Sequence, residues 1–160
     1  MSPRTDRYWA QFLDALPHDT ERPRQYYEAF YFGTTKESAR LLTPLVLNGV
    51  KTATGSLQWV YEAEGRLPPQ VGDHSIVMNG DDEPVCIIRD TEIRIIAFNE
   101  VDEAFAWDGG EDDRTLESWR WIYRDYIRLE CARIGREPTP QTPLACERFQ
   151  IVHKEPLKLQ

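Results

Sequence analysis

The sequence predicts an α+β domain built around a mostly antiparallel, curled sheet. Three observations predict it. Apolar residues recur at helical spacing near the start of the chain and again over residues 116–134. The period shifts towards two after Gly49. The strand-like segments are scattered, with helical segments between them, which suits a sheet with helices packed against it better than a regular βαβ succession.

The elements follow in order. Trp9, Phe12, Leu13 and Leu16 share one helical face, and Pro17 ends that helix. Residues 18–25 are polar and read as a loop. Tyr26, Tyr27, Phe30, Tyr31 and Phe32 form a short aromatic block closed by Gly33. Thr34 or Thr35 can cap a helix that turns Ala39, Leu42, Leu45 and Val46 inward, with Gly49 just past its end. Pro44 lies inside this helix and is expected to kink or split it, because it removes a backbone donor.

Residues 50–53 then read as a short strand, and residues 56–64 as a helix or helical turn. Leu67, Pro68 and Pro69 break the chain. Residues 74–79 form a second strand, followed by a turn at Gly80-Asp81-Asp82-Glu83. Residues 84–98 read as one long strand, or two joined by a bend. Helix resumes over 99–107, a loop covers 109–113, and 116–134 is a long helix. A proline-rich connection at 138–143 leads to a last strand over 147–153.

The chain has 160 residues, enough for one domain with a substantial core. A hydrophobic fraction of 41% places it among folded globular chains and excludes disorder. A net charge of −8 excludes a protein that coats DNA through general phosphate neutralisation, so any nucleic acid must meet a local basic patch. No segment approaches the about 20 apolar residues that span a bilayer. The first residues lead into an amphipathic stretch and do not read as a signal peptide. Cys86, Cys131 and Cys146 are odd in number and widely spaced, which argues against a disulfide framework or a zinc site and fits reduced thiols in the cytoplasm.

Five ordered blocks carry a resemblance. Gly49-Val50-Lys51-Thr52-Ala53-Thr54 resembles the Gly-x-Lys-Thr-x-Thr signature of the ASCH domain (activating signal cointegrator homology). Trp59 to Gly65, Pro69 to Asp73, and Pro84 to Val101 continue the likeness. Gly110-Glu111-Asp112-Asp113-Arg114-Thr115-Leu116 with Trp119-Arg120 is similar to the Gly-Glu-Gly-Asp-x-Ser-Leu-x-x-Trp-Arg block of the larger bacterial members. The resemblance implies a PUA-like β-barrel with helices around it: one domain over 1–160, with a helical extension over 1–33 and a core over 34–155. It also implies RNA-related ligands. Some relatives are described as ribonucleases, others as amidohydrolases of N4-acylated cytidine, so membership indicates fold more firmly than chemistry. The chain departs from the pattern at Asp112, Thr115, Tyr123 and Tyr126-Ile127.

Lys51 is the first candidate. It follows a helix end and precedes Thr54-Gly55-Ser56, read as the opening of the next helix, where free amides and a lysine would make an anion site. The resemblance pairs it with Thr54 as base and nucleophile. Positions 51 and 54 converge only if the strand breaks near Ala53. Thr54 and Ser56 serve equally well as helix caps. On the long strand, the odd positions are apolar except Arg89 and Thr91, so Arg89 is expected to face inward and to hold either an anionic ligand or a buried carboxylate. The small amidohydrolase-like relatives carry a glutamate near that position. Glu92 replaces it if a bulge turns it to that face; otherwise Glu111 or Asp113 is the acid.

Glu111 and Asp113 can line the cleft or bind a divalent metal, though the dispersed His18, His74 and His153 offer no cluster to support a metal and the sequence identifies no definite cofactor. Arg120 and Tyr123 lie about one turn apart on the last helix. Arg120 can reach phosphate, and Tyr123 can either stack a base or pack in the core. The expected function is an RNA- or nucleotide-directed protein, a ribonuclease on single strands, with Lys51, Arg89 and Arg120 holding phosphate. The alternatives are an amidohydrolase of acylated nucleosides and a non-catalytic binding module. The expected partners are RNA or a nucleotide-like ligand, without membrane or sequence-specific DNA, and a homodimer is compatible with the chain.

Overall fold

The computed structural model describes residues 2–158. Helix α1 (Pro3–Ala15) starts at a capping box in which the Ser2 and Thr5 side chains each bond the other's backbone. It buries Tyr8, Trp9 and Phe12 with Tyr26, Ile76 and Ile87, so the N-terminal aromatic region packs on its own sheet. The aromatic block supplies the two-residue strand β1 (Ala29–Phe30). Helix α2 (Lys36–Leu47) carries a second capping box, Thr35 with Ser38, and runs through Pro44 without a break. Pro44 falls in the last turn, where one lost helical hydrogen bond does not interrupt the element.

Strand β2 (Ala53–Leu57) begins later than the sequence suggests and includes Thr54, Gly55 and Ser56. Pairing decides this, because Ala53 to Leu57 align antiparallel with Arg148 to Leu144 of the last strand. Helix α3 (Gln58–Glu64) follows at once. Strands β3 (His74–Met78) and β4 (Pro84–Ala97) pair antiparallel, a 3₁₀ turn covers Phe98–Glu100, and helices α4 (Glu103–Gly109) and α5 (Leu116–Ile134) follow. Strand β5 (Pro143–His153) starts inside the proline-rich connection, with Pro143 at its first position, where a strand tolerates a missing donor.

The sheet order is β1-β3-β4-β5-β2. β1 runs parallel to β3, and the other neighbours are antiparallel. The α+β class holds. The sheet is mixed and leaves β1 and β2 as its two edges, so among the described residues strand pairing does not close the ring that a barrel requires. No helix among them is long and apolar enough to cross a membrane.

α5 covers the β2 end of the sheet, burying Trp119, Tyr123, Ile127 and Cys131 among Ala53, Leu57, Leu144 and Cys146. It also completes the backbone bonding of β2. An edge strand has N–H groups pointing away from its one neighbour, and a buried one must find an acceptor. The Gly55 N–H donates to the Tyr123 hydroxyl at 3.1 Å and the Leu57 N–H to the Tyr126 hydroxyl at 3.0 Å. Leu57 is fully buried, so no water can replace that acceptor. Tyr126→Phe is therefore expected to cost about 1–3 kcal/mol. Urea unfolding at unchanged slope checks this, and an unchanged midpoint would show that the hydroxyl does not satisfy the strand.

Candidate functional site

A cavity of about 310 Å³ opens between the β1–α2 connection, β2 and α5. Its aromatic lining comprises the Phe30–Phe32 pair and the Tyr123–Tyr126 pair, each in edge contact. Thr54, Ser56 and Glu147 line it from the sheet, and Lys51 and Glu111 from one end.

Lys51 is 2% exposed. Its ammonium donates to the Ala53 carbonyl at 3.0 Å, the Gly109 carbonyl at 3.2 Å and the Glu111 carboxylate at 3.1 Å. It also lies 5.6 Å from the centre of the Phe32 ring. An ammonium has three protons, and all three have acceptors here. The Glu111 acceptor depends on Gly110, which has φ of +71° and abuts the backbone before Lys51. A Cβ at this position would stand 2.6 Å from the Val50 carbonyl oxygen. The chain can therefore press α4 against Val50 and turn Glu111 towards the ammonium only through glycine.

Tyr123 stacks on Trp119, with ring centres 4.4 Å apart. Its hydroxyl accepts from the Gly55 N–H. Burial, with the Glu111 carboxylate adding to it, raises its pKa, so the phenol stays neutral. Gly55 is small because a Cβ there would approach the Tyr123 ring to 3.2 Å.

The sheet contributes a second, different charge problem. Asp90 of β4 and Glu147 of β5 are 3% and 8% exposed. They lie close enough for the Asp90 charge to act on Glu147, the Asp90 Oδ1 has no hydrogen-bond partner, and among the described residues neither carboxyl forms an ion pair. Two carboxyls in that position cannot both ionise, so the pair retains a proton. Burial first, then the Asp90 carboxylate, pushes Glu147 far above the usual carboxylate range, and burial raises Asp90 as well. Glu28, also raised by burial, faces the same cavity. With Lys51 paired to Glu111, the remaining ionisable groups of the lining are Glu28, Asp125, Glu147 and three phenols. Such a cavity suits a neutral, donor-bearing planar group and disfavours a phosphate.

The comparisons decide the family. The ASCH domain model matches residues 28–153. The chain belongs to the ASCH domain family. A crystal structure of an ASCH domain from Lactobacillus crispatus JV V101 is similar over 96% of both chains, at 32% identity and a TM-score of 0.89. A protein of Enterococcus faecalis V583 is similar at 30% identity and a TM-score of 0.85, over 96% of this chain and 91% of its own. A hypothetical protein at 16% identity and a TM-score of 0.51 shares the fold over 78% of this chain. No curated protein sequence matches significantly.

The ASCH cavity gathers Lys51, Thr54, Ser56, Glu111 and Tyr123 from the sequence candidates. Three others lie elsewhere. Arg89 is exposed, contrary to the expected inward face. The alternation fails because the first half of β4 is covered on both sides, Ile87 under α1 and Cys86 and Ile88 on the opposite face. Arg89 lies beyond the residues that α1 covers. Arg120 lines a separate groove on the other flank of α5. Asp113 is exposed and accepts from the Thr115 N–H and hydroxyl, with its pKa lowered by those bonds and the Ser118 hydroxyl. It supports the cap of α5. The helix start expected beside Lys51 is strand instead, so no helix N-terminus adjoins the ammonium and Thr54 and Ser56 cap nothing. A register shift does occur between Asp90 and Glu92, but it leaves Glu92 paired with Arg148 and brings Asp90 inward. Among the described residues no group of three His, Cys, Asp or Glu side chains is placed to hold a metal.

Sequence reasoning missed Asp90 and Glu147. A signal existed in the last strand, where Phe149, Glu147 and Ala145 share one face with a carboxyl in the middle. Because the folded pair binds a proton that the unfolded chain releases above about pH 4–5, its contribution to stability falls as pH rises from there through the raised folded pKa. Glu147→Gln keeps the shape and removes the titration. It is expected to raise the melting temperature at pH 8–9 by roughly 2–4 °C per kcal/mol gained, and to leave it little changed at pH 5. Thermal melts of both proteins from pH 5 to 9 check this, and parallel curves would refute it.

Proposed function

We propose that the cavity binds the base of a nucleotide, as part of single-stranded RNA or of a free nucleoside. The observation that carries this reading is the combination of aromatic walls with a carboxyl pair that has no cation. Proteins hold unpaired bases by stacking them on aromatic rings and bonding their polar edges. Here Phe32 and Tyr123 both line the space, and Glu147, Thr54 and Ser56 offer carbonyl and hydroxyl oxygens to exocyclic amines. The anchored Lys51 holds these walls in place and acts as a scaffold for the pocket. The family's association with RNA-related ligands supports the same reading, and the buried free cysteines fit a reducing compartment.

Phosphodiester cleavage draws little support from this cavity. Its one lysine is fully bonded, and neither Arg89 nor Arg120 reaches it. Hydrolysis of an acylated exocyclic amine has one observation in its favour: the Thr54 hydroxyl opens on the same space as the proton-bearing Glu147. In that reading Thr54 adds to the acyl carbonyl as its proton passes to the carboxyl pair, the C–N bond breaks as Glu147 protonates the leaving amine, and water then hydrolyses the Thr54 ester to release the acid and restore the hydroxyl.

Calorimetric titration with the four ribonucleosides tests the binding reading. At least one is expected to bind, and Thr54→Leu, which fills the cavity, to weaken it tenfold or more at an unchanged circular-dichroism spectrum. Wild-type protein that binds none of the four would end the proposal. Incubation with N4-acetylcytidine separates the two readings: release of cytidine, lost in Thr54→Val, is expected only if the site is hydrolytic.

A further inference from the structure

We infer that the groove between α5 and residues 138–140, lined by Arg120, Arg124 and Arg128, binds the phosphodiester backbone of single-stranded RNA whose base enters the cavity. The inference rests on the base-binding reading and assigns the phosphates a place of their own.

The groove holds about 530 Å³, and its lining contains three arginines and no acidic residue. The arginines recur every fourth residue, so they form one row along the helix in steps of about 6 Å. That segregation is exceptional in a chain of net charge −8. Several arginines elsewhere on the surface are neutralised: Arg66, Arg133, Arg136 and Arg148 each pair with glutamates. Arg120 and Arg124 have no carboxylate partner among the described residues, and Arg128 meets only the exposed Asp125.

A second observation indicates a missing acceptor. The Arg120 Nε is buried and has no hydrogen-bond partner. A shielded donor of that kind is normally satisfied, and a phosphate oxygen in the groove would satisfy it. Arg124 lies 5.7 Å from the Phe98 ring centre, a contact that helps to fix its guanidinium over the groove.

The helix itself relates the two sites. Ile122, Tyr126 and Leu129 face the cavity, whereas Arg120, Arg124 and Ile127 face the groove, on the opposite flank. A strand engaging both crosses the outer side of α5. Trp121, 73% exposed, lies on that side and offers a stacking face on the way.

Fluorescence anisotropy with a labelled single-stranded RNA 12-mer, at a series of salt concentrations, tests the inference. The wild type is expected to bind with salt-dependent affinity. Arg124→Glu with Arg128→Glu is expected to weaken binding at least tenfold and to flatten the salt dependence by about 1.4 in log–log slope, as for two lost phosphate contacts. The milder Arg124→Gln with Arg128→Gln should fall between. Arg7→Glu with Arg24→Glu makes the same change in net charge at exposed positions remote from α5, and should stay within threefold of wild type. Equal weakening by both glutamate pairs, or no binding of the RNA by wild type, would overturn the inference. Nucleoside binding measured in parallel keeps the cavity reading separate: the arginine variants should retain it, and its absence in wild type would count against the cavity alone.

Discussion

The structure depends on a lysine that has almost no access to water. Taking an ammonium out of solvent is costly unless each proton finds an acceptor and the charge finds a partner. Lys51 meets both conditions by drawing three segments together: the start of β2 through Ala53, the end of α4 through Gly109, and the loop before α5 through Glu111. Its own backbone N–H is held by the Leu45 carbonyl of α2. One residue thus ties together α2, β2, the end of α4 and the loop before α5, three of them through its side chain, and the glycine at 110 is needed so that this loop can come close enough. The pocket walls are consequences of that arrangement, since Phe32 lies over the ammonium and Tyr123 sits against β2.

The molecule separates its charges by burial. Among the described residues its deeply buried lysine is neutralised on the spot, its most buried carboxyls are held partly protonated by each other, and three arginines line one flank of α5 without an acidic residue in the groove. Each solution has a different physical basis: Coulomb pairing, proton retention and solvent exposure. The separation means that an RNA strand would meet a surface with distinct regions for base and backbone, although the whole chain is acidic.

The helices were legible because their signals are local. α5 was read to its exact limits, since Thr115 and Gly135 bracket a clear apolar row, and β3 and β4 were read to within one residue. The family blocks made the position of Lys51 legible, but its surroundings were not. Whether residues 54–56 form a turn or a strand was settled by pairing with β5, almost ninety residues later, and no local pattern encodes that. Arg89 and Asp90 exchanged places for the same reason. Alternation indicates a buried face only when the other face is wet, and the first half of β4 is covered on both sides. The carboxyl pair follows from a register shift near Thr91 that becomes definite only once β5 is laid beside β4.

The two tyrosine hydroxyls on β2 have one more consequence. The rim of a sheet is ordinarily an invitation to other extended chains, its own copies included, because unused N–H groups template cross-β growth. In this protein the long rim is occupied at Gly55 and Leu57 by a helix of the same chain, and the opposite rim, β1, is only two residues long. The fold therefore offers little purchase for amyloid-type stacking or for recruitment of a foreign strand, and it achieves this without a charge or a proline on the exposed strand.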